Sequence, residues 1–314
     1  MTIQEIKSIK QKSDIVKVIS HFIELKRDGA NYTATCPFHN ERSKSFTVSI
    51  PKGIFKCFGC GVSGDVIDFV MRKQNSSYKD AIKWISDHEN IETDKDYVSQ
   101  PIIELPTSYI KRDVFAKSLG KPNRSNLITW LQLLYTEKTQ YEYYLSESKH
   151  WPGAVVFWYV DINQRVRSGK IMHYDPQTGK RTKEPKPLIT WVHRVLKLPD
   201  FNMVMCLFGE HLLRIHPDLP VCIVESEKTA IIASIAYPKS IWLASGSLTN
   251  LSYKRCEVLT GRDITLYPDV GAEERWQEKL EQLSELIPGT WKLKRMDSDI
   301  KGYDLCDYIL DKRK

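Results

Sequence analysis

The sequence predicts a multidomain α/β protein, and three observations predict it. Paired cysteines and a histidine mark a small unit before residue 92. A strand-and-turn pattern fills residues 154–183. From about residue 218, apolar strands and helices alternate through short loops, the pattern of a parallel sheet. At 314 residues and 41% hydrophobic, the chain has room for two or three domains with real cores.

Within residues 1–92, Ile15, Val16, Val18 and Ile19, then Phe22 and Ile23, form a helical stripe, for which Ser13 is the expected cap. Ser45 to Ile50 alternates as a strand, Pro51-Lys52-Gly53 turns, and Ile54 to Cys57 returns. Asp65 to Lys73 reads as a helix with Val66, Ile67, Phe69 and Val70 inward. Ser77 opens another, with Ala81, Ile82, Trp84 and Ile85 inward. Residues 93–106 read as a linker, charged and then bracketed by prolines.

Residues 107–217 read as a mixed α+β subdomain. Its first part, to residue 150, is expected to be helical on the stripe Leu127, Trp130, Leu131 and Leu134. Val155 to Val160 and Val166 to Tyr174, with turns at 161–164 and 175–179, predict a meander. Met203 to Phe208 is short and apolar enough for a buried strand. Over 218–314, strands at 221–224, 240–244 and 263–267 and helices at 229–236 and 272–286 complete a parallel unit.

The 46 basic and 39 acidic residues give a net charge of +7, which permits a polyanionic partner without demanding one. No apolar run approaches a membrane span, and the N-terminus lacks a signal-peptide core, so a cytoplasmic protein is expected. Cys206, Cys222, Cys256 and Cys306 are scattered, and read as buried apolar side chains in a reducing compartment.

Cys36-Pro37-Phe38-His39 and Cys57-Phe58-Gly59-Cys60 each place two soft or borderline ligands three residues apart. A tight turn can aim each pair at one ion, the spacing of a zinc site. Cys36, His39, Cys57 and Cys60 leave no open position, so the expected zinc is structural. Arg42, Lys44, Lys52 and Lys56 lie among Phe38, Phe46, Phe55 and Phe58. Such groups can hold phosphates and stack unpaired bases, or simply form a small core with a solvated face.

Four acids recur in the last third. Glu225 directly follows the strand 221–224, Asp269 follows 264–267, and Asp304 and Asp307 close the set. Carboxylates beyond the carboxyl ends of parallel strands are placed for chemistry, and Mg²⁺ or Mn²⁺ prefers such oxygens. Each acid alone also reads as a helix cap or surface charge. Between the two halves, Arg165, Arg167, Lys170, Lys180, Arg181 and Lys183 make a basic hairpin. It can follow a phosphate backbone or protect a sheet edge.

The runs Cys36 to His39, Ser45 to Val48, Phe55 to Gly61 and Gly64 to Phe69 resemble the CHC2-type zinc-binding domain of bacterial DnaG-type DNA primases. The C-terminal acids resemble a TOPRIM domain. Glu225 matches its characteristic glutamate, Ser245-Gly246-Ser247 its small-residue loop, and Asp269 the first aspartate of Asp-x-Asp. Gly302 to Asp307 resembles the tail of phage and plasmid primases. The second aspartate falls on Gly271, and an acid common four residues after the glutamate falls on Thr229; Glu227, Glu273 and Asp304 are the candidate substitutes. Lys149 to Ala154 and Gly179 to Arg181 resemble primase-like proteins of Bacteroides mobile elements.

The resemblance implies a nucleotidyltransferase that makes short RNA primers on single-stranded DNA from ribonucleoside triphosphates. Glu225, Asp269 and Asp304 would be catalytic, with Asp307 a further candidate for the catalytic metal, and a helicase would act in trans. A single-strand-binding protein with a degenerate TOPRIM site, or a TOPRIM nuclease, is the alternative.

Overall fold

The computed structural model describes residues 9, 12–41, 43–60, 62–76, 78–89, 106–120, 123–135, 142–184 and 186–312. The chain divides into two compact units, 1–104 and 105–314.

Among its described residues, the first unit has a five-stranded antiparallel sheet in sequential order, with helices beside it. Its strands are β1 (Lys26–Asp28), β2 (Asn31–Ala34), β3 (Phe46–Ser49), β4 (Ile54–Cys57) and β5 (Ser63–Gly64). The helices are α1 (Ile15–Ser20), α2 (Val66–Gln74) and α3 (Tyr78–His88). Alternation in β3 and β4 sends Phe46, Val48, Phe55 and Cys57 inward and leaves Ile54 and Lys56 in solvent. Phe46, Phe55 and Phe69 are fully buried and pack with Phe38 as one aromatic core. Asp14, rather than Ser13, caps α1: its carboxylate accepts the backbone N–H groups of Val16 and Lys17, while Ser13 donates to the Ile9 carbonyl. Asp65 and Asp68 form a capping box on α2. Arg42, Ser77 and nearly all of the expected linker lie outside the described residues.

Among its described residues, the second unit contains two four-stranded sheets. One is the meander β6 (Leu145–Glu147), β7 (Val155–Val160), β8 (Val166–Met172) and β9 (Ile189–Trp191), antiparallel throughout. Helices α4 (Arg112–Leu119), α5 (Asn126–Leu134), α6 (Val192–Val195) and α7 (Leu212–Ile215) surround it. Residues 107–150 are therefore not all helical, because Leu145–Glu147 pairs with β7. Every residue of β7 is buried, since both faces of this sheet are covered.

The other sheet comprises β10 (Val221–Val224), β11 (Ile241–Ala244), β12 (Arg262–Leu266) and β13 (Gly289–Leu293), all parallel, in the order β11-β10-β12-β13. Its helices are α8 (Glu227–Ala236), α9 (Tyr253–Cys256), α10 (Glu273–Leu286) and α11 (Leu305–Asp311). One hydrophobic core runs from α5 and the meander through this sheet to α11, crossing residue 217. Met203 to Phe208 forms no strand. Cys206, Leu207 and Phe208 are buried by this core, and only Phe208 bridges to Ala244.

Candidate functional site

The β3–β4 hairpin and the turn at Cys36 assemble the first site. Cys36, His39, Cys57 and Cys60 bring their ligand atoms within 4.8 Å of one another. Cys57 Sγ faces His39 Nδ1 and Cys36 Sγ faces Cys60 Sγ, each at 3.9 Å. Glu41 completes the surroundings. It accepts from the Cys36 backbone N–H at 2.9 Å, from the Ser45 hydroxyl at 2.7 Å, and lies 3.2 Å from His39 Nε2. The Ser45 hydroxyl, with the Cys36 N–H, Ser43 and His39, holds its carboxyl well below the usual range despite desolvation. A carboxylate on the outer nitrogen of a ligating histidine fixes the ring and raises its basicity. Gly59 is required here, since a Cβ would lie 2.9 Å from His39 Nε2. The donor set fits a structural zinc ion. Glu41 escaped the sequence reading, although an acid two residues after a ligating histidine was a visible signal.

Around this centre, Lys44, Lys52 and Lys56 are exposed. Phe58 is 70% exposed on the zinc knuckle, with the Lys56 ammonium 5.3 Å from its ring centroid. It alone of the four motif phenylalanines stands outside the core.

The second site lies at the carboxyl ends of the parallel sheet. Glu225 follows β10, and its carbonyl accepts the Gly246 N–H at 2.8 Å, so the Ser245-Gly246-Ser247 loop is tied beside it. Asp269 lies in the loop after β12. That loop exchanges two backbone hydrogen bonds with the segment before α11: Val270 N–H to the Tyr303 carbonyl and Gly302 N–H to the Val270 carbonyl. The pairing brings Asp269 beside Asp304. Asp304 and Asp307 form a capping box on α11, and the Thr229 hydroxyl donates to Asp304 Oδ2 at 2.7 Å. Thr229, where the resemblance expects an acid, thus orients one instead.

These carboxylates act on one another. Burial, then the charges of Asp304, Glu225 and Asp307, pushes Asp269 up to about 7. Burial also raises Glu225 and Asp307, with Asp304 adding to both. Oxygen donors that resist ionisation together fit a hard divalent cation, which relieves their repulsion. Among the described residues, only the zinc donors close into a tight set of three or more such groups. The acids form an electrostatic cluster rather than a finished cage.

The remaining acids are engaged elsewhere. Glu227 is 1% exposed, accepts from Lys170 Nζ at 2.8 Å, and is bonded by the Tyr159 hydroxyl. Glu273 accepts the Gly271 N–H at 2.8 Å. Gly271 has φ +86°, so any side chain there is strained, and a Cβ would touch Lys301.

The basic hairpin divides into two groups. Arg165 and Arg167 both pair with buried Asp161, at 3.0 and 2.8 Å, and stack on Tyr109. Arg167 and Lys170, with side chains only 15% and 14% exposed, spend their charge inside the fold. Lys180, Arg181 and Lys183 are exposed.

Residues 1–101 match the CHC2 zinc finger family, and residues 125–270 match a domain of unknown function, DUF6371. The DNA primase of Clostridium acetobutylicum is 48% identical over 89 residues, covering 28% of this chain and 15% of that protein. The DNA primase of Listeria innocua is 32% identical over 167 residues, 53% of this chain and 24% of that one. The chain thus spans a quarter or less of the length of these relatives. Among solved structures, the zinc-binding and RNA polymerase domains of the Aquifex aeolicus primase align over 98% of this chain and 82% of that one. The TM-score is 0.37 and the identity 18%. No helix of the described residues is long and apolar enough to cross a membrane.

Proposed function

We propose that this chain, related to DnaG-type DNA primases by its CHC2 zinc finger, synthesises short RNA primers on single-stranded DNA. The observation that carries the reading is the gathering of Glu225, Asp269, Asp304 and Asp307 at the carboxyl ends of a parallel sheet. The middle-region resemblance suggests replication or transfer of a mobile element as the setting, with a helicase acting in trans.

In this reading the acids hold Mg²⁺ or Mn²⁺, which supplies charge neutralisation for the triphosphate and the attacking 3′-oxygen. Glu225 and Asp269 would be its principal ligands, and the Thr229 hydroxyl fixes the Asp304 carboxylate whose charge reaches Asp269. Exposed Lys180, Arg181 and Lys183 take phosphates of template or nucleotide, and half-exposed Arg165 contributes at the margin. The zinc unit grips template: Lys44, Lys52 and Lys56 neutralise phosphates, and Phe58 stacks on an unpaired base.

Gly271 favours one second reading, a single-strand-binding protein whose metal site has lost a ligand. Labelled-nucleotide incorporation on single-stranded template separates the two. Wild type should incorporate and Glu225→Gln should not. Empty lanes from both, with DNA binding intact, favour the second reading.

A further inference from the structure

Lys228 lies three residues after Glu225, in the first turn of α8, yet it is no part of the acid set. Its Nζ donates to the Gly179 carbonyl at 3.2 Å and lies 5.5 Å from the centroid of the Trp130 ring. The buried Cys306 thiol and the Asp307 carboxylate lie within its field. One ammonium group therefore joins α5, the basic turn, α8 and the acid-bearing start of α11.

The turn that it holds is preformed. The Asp175 carboxylate accepts the N–H groups of Gln177 and Thr178, the Asp175 N–H donates to the Lys180 carbonyl, and the Gly179 N–H donates to the Asp175 carbonyl. Gly179 has φ +61° and packs flat on Trp130, where a Cβ would lie 2.3 Å from the ring. Only glycine allows that approach. Lys180 and Arg181 leave this turn exposed.

We infer that Lys228 is a positioning residue: it ties the basic turn 175–181 to the acid cluster and sets the spacing between polyphosphate-holding and metal-holding groups. This deepens the nucleotide-binding reading above and rests on it. A charge-assisted hydrogen bond and a cation–π contact supply the tie, and a lysine offers three donors for it. The sequence holds both residues but does not show their pairing across 49 positions.

The test uses the full chain with Lys228→Met and Lys228→Arg. Two quantities are read: hydrogen–deuterium exchange in a peptide spanning 175–183, and the KM for ribonucleoside triphosphate. Losing one hydrogen bond from a charged group should speed exchange in the turn about tenfold and raise KM about tenfold in the Met variant. The kcat should change less than about threefold, as expected when binding alone is weakened. The Arg variant should keep most of both wild-type values. Raised KM with unchanged exchange would make Lys228 a direct phosphate ligand, and faster exchange with unchanged KM would make it merely structural. Either result, or no change in both, overturns the inference. If wild type makes no primers, equilibrium dialysis of Mg-ATP replaces KM. Failure of the tie is then distinguished from failure of the polymerase reading.

Discussion

The zinc centre and the acid cluster are both built from side chains poised for metal, but the fold treats them oppositely. Cys36, His39, Cys57 and Cys60 converge within 4.8 Å, and Glu41 and Ser45 brace them from behind. Such a set is closed, and its metal is part of the folding energy. Glu225, Asp269, Asp304 and Asp307 instead repel one another and stay wider apart. The fold tolerates their repulsion because caps and loop pairings hold the backbone: the box on α11, the Gly246 tie and the Val270–Tyr303 bond. The zinc set adds to the stability of its unit, whereas the acid cluster draws on the stability of the loops that hold it.

Breaking the closed site should have the largest effect. Cys57→Ser should remove zinc and unfold residues 1–104, since structural zinc contributes on the order of 10 kcal/mol to folding small zinc domains. Elemental analysis and circular dichroism check this, with about one zinc per wild-type chain expected. A zinc-free variant that stays folded would erase the contrast.

Asp269→Asn should behave in reverse. Primer synthesis should fall about a hundredfold or more, the scale for losing one preorganised electrostatic group. Stability in Mg²⁺-free buffer should rise, because a buried, repelled carboxylate becomes a neutral amide. The pH dependence has a definite sign. Asp269 titrates at about 7 in the fold, above its ordinary 3.8. Its stabilising contribution is thus fully present below 3.8 and is lost as pH rises through about 7. Melting temperature without Mg²⁺ should therefore decline from pH 5 to pH 8, less steeply in the Asn variant. Added Mg²⁺ should restore it at pH 8 and do little at pH 5.

Two smaller effects sharpen the picture. Phe58→Ala should weaken single-stranded DNA binding by about 1–3 kcal/mol, the worth of one stacked base, at unchanged melting temperature. Fluorescence anisotropy at fixed salt reads it. Thr229→Val should lower kcat/KM several-fold by freeing Asp304, about 1 kcal/mol for a lost hydrogen bond, with zinc content unaffected.

The zinc donors were legible because their geometry is local: two gaps of two residues and a hairpin between them. The strands 221–224 and 241–244 were legible because a doubly covered parallel strand is an unbroken apolar run. By the same logic Met203 to Phe208 misled, since core packing buries an apolar run as well as a ladder does. β13 escaped notice because it is an edge strand with exposed and half-exposed residues. Side-chain partners were the least legible. Nothing in the sequence sets Lys170 against Glu227 or Arg167 against Asp161, so both read as free charge. Thr229 read as a missing acid, and only the fold reveals it orienting Asp304.

In the proposed function, the acid cluster serves nucleotide polymerisation on a template held by the zinc unit. The most direct measurement is incorporation of labelled ribonucleotides on single-stranded DNA with Mg²⁺ or Mn²⁺, comparing wild type with Glu225→Gln. Short products are expected from wild type only, at equal DNA binding. Template binding without products from either protein, under both metals, would contradict it.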